Sequence, residues 1–253
     1  MVKIYTPQEI EKIARSGAIL ARTMALLKKE AKIGVTFKQL DDIARDYIRS
    51  QGAEPAFLNY QPGGAEHPYM ASICTSVNEV IVHGFPTDRA IKTGDVLKID
   101  AGVLLEGMYS DSAITIAAGT VTQKAQNLVK ATHKALEEAI KAAKPGNRLG
   151  DIGHAIEKTA HRYGVEVVNG LVGHGVGYHL HEEPEVYNYG DKGKGLLLKP
   201  GMVLAIEPMF SAGKGDIKQL KDESWATVDG SLSAQFEHTV AITETGHRVL
   251  TIL

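Results

Sequence analysis

The sequence is poor in cysteine and in uninterrupted apolar stretches, and it lacks a large excess of charge of either sign. Cys74 is the only cysteine among 253 residues. An internal disulfide is therefore excluded, and a reducing compartment is favoured, which we interpret as the cytoplasm. No segment reaches the roughly 18 consecutive apolar residues of a membrane span, and the N-terminus lacks the basic and apolar segments of a signal peptide. We expect neither membrane insertion nor export.

The charge balance argues against nucleic acid as a partner. Lysine and arginine number 28 and aspartate and glutamate 30, so the formal net charge is −2. No global excess of basic charge is available to hold DNA or an anionic membrane. With 43% hydrophobic and 23% charged residues, the composition is that of an ordinary globular protein with a sizeable core. Partners must be inferred from individual sites.

Helix signals alternate with strand-like runs along the chain. The segment Thr6-Pro7-Gln8-Glu9 is a capping box with proline at the helix start, and apolar residues follow at helical spacing. A second helix is predicted between Gly34 and Gly52, and two more at about 123–143 and 148–163. The remaining segments are typical of strands separated by glycine and proline. The predicted class is mixed α and β.

A diverged internal repeat organises the chain. Four pieces recur in the same order: residues 33–37 as 145–149, VNEVIVHG as VNGLVGHG, KTGDVLKID as KPGMVLAIE, and SDSAITI as FEHTVAI. Such self-similarity indicates two copies of one structural unit. We predict a single catalytic domain, 1–253, whose halves span about 1–118 and 119–253.

The repeat aligns residues that bind metals and transfer protons. It matches His83 with His174, Asp100 with Glu207, and Asp111 with Glu237. A repeat retained only for packing would not require carboxylates in strands, whereas two related halves would place these groups around one shared cleft. The sequence therefore predicts one site built from both halves.

The two carboxylates of the first half are predicted to lie on one face of a hairpin. Glu106-Gly107 suits a two-residue turn. The register that follows places Gly102 opposite Asp111, so that Asp100 lies diagonal to Asp111 on the same face. A solvated sheet face would explain a single pair of carboxylates, but the matching pair in the second half favours a shared ion.

The combined set carries four negative charges and one imidazole. Without cations, four converging carboxylates would raise one another's pKa values and destabilise the fold, whereas two divalent ions would neutralise them. Oxygen-rich ligation with one imidazole suits Mn(II), Fe(II), Co(II) or Zn(II). Two such ions about 3.5–4 Å apart would generate a bridging hydroxide and polarise a carbonyl. The predicted ligands are Asp100, Asp111, His174, Glu207 and Glu237.

These motifs resemble those of type I methionine aminopeptidases. The resemblance covers essentially the whole chain and includes TSVNEVIVHGFP, the hairpin from Asp100 to Asp111, GHGVGYHLHEEP, AIEPM and SAQFEHT. It implies the pita-bread fold, an α+β architecture in which two pseudo-two-fold related α/β halves with antiparallel sheet enclose a dinuclear metal site. It also implies removal of the initiator methionine from nascent proteins when the next residue is small.

The resemblance assigns a role to each site residue. The five ligands are those named above, and His83 and His181 are catalytic histidines that do not bind metal. Glu207 would also carry a proton from the attacking water to the leaving amine. His181 would hydrogen-bond the substrate carbonyl, and His83 would contact the backbone nitrogen of the next residue. A free substrate amino group would bind one metal, which explains exopeptidase action.

The substrate pocket and an accessory site also follow from the resemblance. Leu180 stands where related chains often have phenylalanine, and PGGAEH at 62–67 resembles an insertion. Asn78 and Ser233 resemble positions that hold a monovalent cation, sodium or potassium. For Cys74, core packing is the alternative explanation. The implied methionine-pocket residues are Tyr60, Tyr69, Cys74 and Trp225.

Two alternatives stay open at the level of sequence. An Xaa-Pro aminopeptidase or prolidase of the same fold would share all five ligands, although such enzymes usually carry a large additional N-terminal domain. A non-catalytic pita-bread module that binds proteins would show eroded ligands, and none is eroded here. Besides nascent polypeptide N-termini, a contact with the ribosome near its exit tunnel remains open. We expect a monomer.

Overall fold

The computed structural model describes residues 2–61 and 66–253. Positions 62–65 of the predicted insertion lie outside this description. Four α-helices lie close to their predicted bounds, and the side chain of Thr6 accepts a hydrogen bond from the backbone of Glu9, which confirms the capping box. The helices are α1 (Pro7–Glu30), α2 (Phe37–Ser50), α3 (Gln123–Ala142) and α4 (Leu149–Tyr163).

The strands pair in antiparallel sheets, which confirms the mixed α+β class. In the described part of the chain they form four sheets, of four, three, three and five strands. In chain order the strands are β1 (Glu54–Pro55), β2 (Ile73–Val77), β3 (Val80–Val82), β4 (Val96–Leu105), β5 (Met108–Ala117), β6 (Glu166–Val167), β7 (Gly173–Gly175), β8 (Glu182–Val186), β9 (Val203–Ile206), β10 (Met209–Ser211), β11 (Ile217–Gln219), β12 (Trp225–Thr227), β13 (Ser233–Gln235), β14 (His238–Ile242) and β15 (His247–Val249).

The first hairpin has the predicted register. Strands β4 and β5 pair along their whole length, with Gly102 opposite Asp111 and Asp100 opposite Ala113. Strands β1 and β2 pair successive parts of the other edge of β4. Because side chains alternate along a strand, Asp100 and Asp111 project from the same face.

The second hairpin follows one register but is interrupted. Strand β9 pairs with β14, with Ile206 opposite His238, and β10 continues against β13, with Met209 opposite Gln235. Pro208 lies between the two paired segments, and it lacks the N–H that a continuous ladder needs. The same register places Glu207 opposite Glu237, whereas the carboxylates of the first hairpin are diagonal.

Each hairpin is covered by two helices. Apolar side chains of α1 and α2, including Leu20 and Leu40, pack with Ile99 of β4. Side chains of α3 and α4, including Leu128, pack with Leu204 of β9. These are separate hydrophobic clusters, one in each half of the chain. The prediction of one catalytic domain with halves at about 1–118 and 119–253 stays a prediction.

The two hairpins are joined where β5 meets β14. The backbone N–H of Asp111 donates to Thr239 Oγ1 at 2.9 Å, and that hydroxyl donates to the carbonyl oxygen of Asp111 at 2.8 Å. The N–H of Glu237 donates to the carbonyl oxygen of Ala113 at 2.9 Å. Hydrogen bonds therefore fix the carboxylates of one half relative to those of the other. Among the described helices, none is long and apolar enough to span a membrane.

Candidate metal centre

The five predicted ligand residues converge at one place. Together with His181, they form overlapping groups in which one donor atom of each member lies within 4.8 Å of the others. His174 Nε2 lies 3.8 Å from both Asp111 Oδ2 and Glu207 Oε1. The groups are Asp111, His174 and His181; His174, Glu207 and Glu237; and Asp100, Asp111 and Glu237.

Two glycines allow His174 to reach this position. His174 is the central residue of β7, which lies between β8 and β9. A Cβ atom at Gly173 would lie 2.3 Å from the carbonyl oxygen of Ala205, and one at Gly175 would lie 2.3 Å from that of Glu183. Larger residues would push the neighbouring strands apart. The Gly-His-Gly segment is therefore required by close strand packing.

The backbone determines which nitrogen of His174 faces the acidic residues. Nδ1 lies 2.9 Å from the carbonyl oxygen of Gly175, which can only accept a hydrogen bond. Nδ1 must carry the proton when this bond forms, so Nε2 presents its lone pair to the carboxylates. Burial lowers the pKa of His174 to about 4, which keeps the ring neutral near pH 7. This is the form of histidine that binds metals.

Among the described residues, the acidic cluster lacks a cationic side chain that would neutralise it. Burial raises the pKa of Asp100 to about 7 and holds the pKa values of Asp111, Glu207 and Glu237 well above their usual range. Repulsion between the carboxylates adds to this effect. In the described part of the chain, no lysine or arginine forms an ion pair with any of the four.

Unpaired oxygen atoms in the cluster are suited to binding a cation. Asp100 Oδ1 and Glu237 Oε1 are buried and have no hydrogen-bond partner among the described residues. A buried, unpaired carboxylate oxygen is costly, whereas a divalent ion would satisfy it. Four carboxylates and one neutral imidazole also match the ligands preferred by Mn(II), Fe(II), Co(II) and Zn(II). The residues present therefore fit two divalent cations.

Gln235 belongs to the site but was not predicted from the sequence. Its side chain is buried, and Nε2 lies 3.3 Å from Asp100 Oδ2 and 3.2 Å from Glu207 Oε2. One amide thus donates to carboxylates from both halves. The signal was available, because Gln235 lies two residues before Glu237 and such positions share a strand face.

His83 and His181 lie on the solvent side of the buried cluster. The rings of His181 and His174 meet edge to face with centroids 4.3 Å apart, and His181 Nδ1 lies 2.6 Å from the hydroxyl of Tyr60. Surrounding protein lowers the pKa of His181 to about 3 by desolvation, and it also lowers the pKa of His83. His83 follows β3 with φ 62°, a left-handed conformation that disfavours non-glycine residues. Strain of this kind often accompanies a functional position.

The structure gathers three of the four predicted pocket residues. Tyr60, Tyr69 and Cys74 border one apolar cluster with Leu180, which is 1% exposed. Trp225 lies in a different cluster, opposite Val82 on the strand that precedes His83. The sequence interpretation did not include the other members of the pocket cluster, Ala56, Phe57 and Tyr109.

The side-chain amine of Lys98 lies beside the two residues that are predicted to hold a monovalent cation, Asn78 and Ser233. Lys98 Nζ donates to the backbone carbonyl oxygens of Asn78, Val96 and Ser233. The resemblance could not reveal this, because the lysine comes from a different strand than the two residues that suggested the cation site.

Comparison with known proteins identifies related sequences over the full length of the chain. The family described as metallopeptidase family M24 matches residues 11–244. Methionine aminopeptidase 1 of Bacillus subtilis is 45% identical over 253 residues, which covers 99% of this chain and 99% of that protein.

Solved structures show the same relationship. The crystal structure of methionine aminopeptidase from Thermotoga maritima has a TM-score of 0.95 and 40% identity, and all of both chains is covered. A prolidase from Pyrococcus furiosus has a TM-score of 0.79 and 25% identity. That match covers 99% of this chain but 65% of the prolidase chain. The agreement with the first structure confirms the predicted pita-bread fold.

Proposed function

The chain belongs to metallopeptidase family M24, and from this premise we propose that it removes the initiator methionine from nascent polypeptides when the next residue is small. Its full-length relatives are methionine aminopeptidases, which confirms the predicted hydrolase class and the cleavage of N-terminal methionine. The observation that carries the site assignment is the buried convergence of four carboxylates and His174, in which two carboxylate oxygens have no partner among the residues that the structure describes.

The metal ligands in this proposal are the five residues predicted from the repeat. Two divalent ions held there would activate a water molecule as the nucleophile and polarise the scissile carbonyl. Gln235 would hold Asp100 and Glu207 in the orientation that binding needs, because its amide donates to both carboxylates. Residues that hydrogen-bond the ligands tune a metal site by holding those ligands in a fixed orientation.

Glu207 is proposed as the proton carrier as well as a ligand. Its Oε1 atom lies 3.8 Å from His174 Nε2, so the carboxylate is inside the proposed metal centre, where the attacking water would be activated. It would accept a proton from the attacking water and pass it to the leaving amine. The amide of Gln235 links it to Asp100 of the first half.

His181 is proposed to stabilise charge on the substrate carbonyl oxygen. The hydroxyl of Tyr60, 2.6 Å from Nδ1, can donate to that nitrogen, and burial raises the pKa of Tyr60 so that the proton is kept. The imidazole proton then resides on Nε2, which can donate to the oxygen as negative charge develops. Tyr60 would therefore orient a catalytic histidine in addition to bordering the pocket.

His83 and the apolar cluster are proposed to position the substrate. Tyr69 connects them, because its hydroxyl lies 3.0 Å and 3.1 Å from the carbonyl oxygens of Ile73 and Gly84, the latter adjacent to His83. The methionine side chain would contact Tyr60, Cys74 and Leu180. Burial raises the pKa of Cys74, so its thiol acts as an apolar contact. Trp225 is proposed as a rim residue beside His83.

Cytoplasmic location and a monomeric state complete the proposal. The single cysteine and the proposed action on nascent chains support this location. Contact with the ribosome near the exit tunnel would bring the enzyme to its substrate, and exposed lysines are the groups available for it.

The test is metal-dependent release of methionine from Met-Ala-Ser and Met-Leu-Ser. The protein is first treated with chelator and then reloaded with Mn(II), Fe(II), Co(II) or Zn(II). We expect rapid cleavage of Met-Ala-Ser, much slower cleavage of Met-Leu-Ser, and no activity before reloading. An Xaa-Pro dipeptide is included as the competing substrate.

The outcomes separate the three candidate functions. Cleavage of the Xaa-Pro dipeptide without release of methionine would establish the prolidase alternative. Metal binding without cleavage of any peptide would favour the binding module. Equal cleavage of both methionine peptides would retain the aminopeptidase but contradict the proposed preference for a small second residue.

A further inference from the structure

A lysine lies inside the protein directly beside the metal centre. Lys98 is 1% exposed and lies two residues before Asp100 on β4. Its Nζ atom lies 2.9 Å from the carbonyl oxygen of Asn78, 3.2 Å from that of Ser233 and 3.4 Å from that of Val96. The three acceptors are all backbone oxygens.

The surroundings of Nζ match an ammonium ion. A buried amine is costly to charge, and burial lowers the pKa of Lys98 to about 7. Three carbonyl oxygens nevertheless provide one acceptor for each N–H of the ammonium form and so favour it. In the described part of the chain, Lys98 forms no ion pair with a carboxylate. Its hydrogen-bond partners are dipoles, as in sites that replace the hydration shell of sodium or potassium, and the carboxylates of Glu79 and Asp95 also attract its charged form.

The three carbonyl groups belong to both halves of the chain. Asn78 lies in the turn between β2 and β3 with φ 56°, and its side-chain oxygen accepts a hydrogen bond from the N–H of Val96. Ser233 begins β13, and its hydroxyl lies within hydrogen-bond distance of the carbonyl oxygens of Asn78 and Val80. The ammonium of Lys98 therefore connects β4, the β2–β3 turn and β13.

This connection lies two residues from the acidic cluster along each of the two strands. Side chains two residues apart share a strand face, so Lys98 is followed on its face by Asp100, and Ser233 on its face by Gln235. Gln235 donates to Asp100 at 3.3 Å. Two cross-links thus join the same pair of strands, the first through Lys98 and the second inside the metal centre.

We propose that Lys98 is a positioning residue whose ammonium serves as a built-in monovalent cation, which clamps β4 to β13 and so aligns Asp100 and Gln235. The wild-type protein consequently needs no added sodium or potassium. Removal of the amine leaves a cage of three carbonyl oxygens, and such a cage binds a free monovalent ion. Neither statement depends on which peptide the enzyme cleaves.

The experiment compares Lys98→Ala with wild type in choline, sodium and potassium chloride at one ionic strength. Thermal unfolding and the Mn(II) dissociation constant are measured on the full chain. In choline, we expect a lower Tm for the variant and Mn(II) binding weakened by about 10-fold or more, since outer residues tune metal affinity by this amount. Sodium or potassium should restore both properties. The wild type should behave alike in all three salts.

Two control variants separate ion binding from a general loss of packing. Lys98→Met keeps a long side chain, but its apolar end fills the cage, so sodium and potassium should not restore it. Lys92→Ala removes an exposed lysine of the loop before β4 and should resemble wild type.

A salt-specific recovery of Lys98→Ala, absent from Lys98→Met, supports the proposal. The same response in all three salts overturns it, whether the variant is folded in all of them or in none. A wild-type Tm that rises in sodium or potassium relative to choline also overturns it, because the built-in cation would then be insufficient. None of these conclusions depends on a measurement of peptidase activity.

Discussion

Replacing Tyr60 with phenylalanine tests whether the Tyr60 hydroxyl fixes the tautomer of His181. The change removes the hydroxyl that lies 2.6 Å from His181 Nδ1 and retains most of the ring that borders the apolar cluster. If the hydroxyl donates to Nδ1, it holds the imidazole proton on Nε2. In its absence, the ring can adopt the other tautomer, which cannot donate to the substrate carbonyl.

The structure limits the size of this effect. One hydrogen bond between uncharged groups contributes roughly 0.5–1.5 kcal/mol. Because about 1.4 kcal/mol changes a rate tenfold, kcat should fall roughly 2- to 13-fold. Removal of the donor itself, in His181→Ala, should lower kcat by ~10²–10³ while the metals remain bound. The smaller loss expected for Tyr60→Phe reflects an imidazole that is still present but is no longer held in one tautomer.

The assay is steady-state cleavage of Met-Ala-Ser by each single variant and by the double variant. If Tyr60 acts through His181, adding Tyr60→Phe to His181→Ala should cause less than about a twofold further loss, since the two residues form one unit. Tyr109→Phe is the matched control, because Tyr109 borders the same cluster and is not bonded to His181. Losses that simply multiply in the double variant would refute the reasoning.

Three further predictions concern the metal centre and the packing around it. Glu207→Ala should abolish peptide cleavage and weaken Mn(II) binding, as measured by calorimetry; binding that is unchanged would remove Glu207 from the ligand set. Gln235→Ala should weaken Mn(II) binding by about 10- to 100-fold while kcat at saturating metal changes less; an unchanged dissociation constant would show that its two hydrogen bonds do not orient the ligands. Gly17→Ala should lower the free energy of unfolding in urea by about 1–3 kcal/mol, because a Cβ atom there would lie 2.1 Å from the carbonyl oxygen of Leu250; wild-type stability would mean that the C-terminal segment moves freely.

The sequence was sufficient wherever the determining interactions are local. Thr6 and Glu9 form the predicted cap, since both partners lie within one helical turn. The Glu106-Gly107 turn sets the register of the first hairpin, and alternation along the strands then puts Asp100 and Asp111 on one face. The internal repeat extended this reasoning to the second half, because matched positions of related units face a common centre.

Contacts between distant segments were not accessible in this way. Gln235 could have been suspected from its spacing to Glu237, but its two carboxylate partners come from different hairpins. Trp225 was assigned to the methionine pocket by resemblance, whereas strand pairing places it opposite Val82 in another cluster.

Lys98 shows most clearly what tertiary structure alone decided. In the sequence it is a charged residue two positions before Asp100 in an otherwise apolar strand, and the sequence does not show which groups its amine contacts. The three carbonyl oxygens that surround it come from a turn, from its own strand and from a strand 135 residues away. Backbone carbonyls are present at every residue and carry no sequence signature, so only the packing of the two halves determines which of them form a cage.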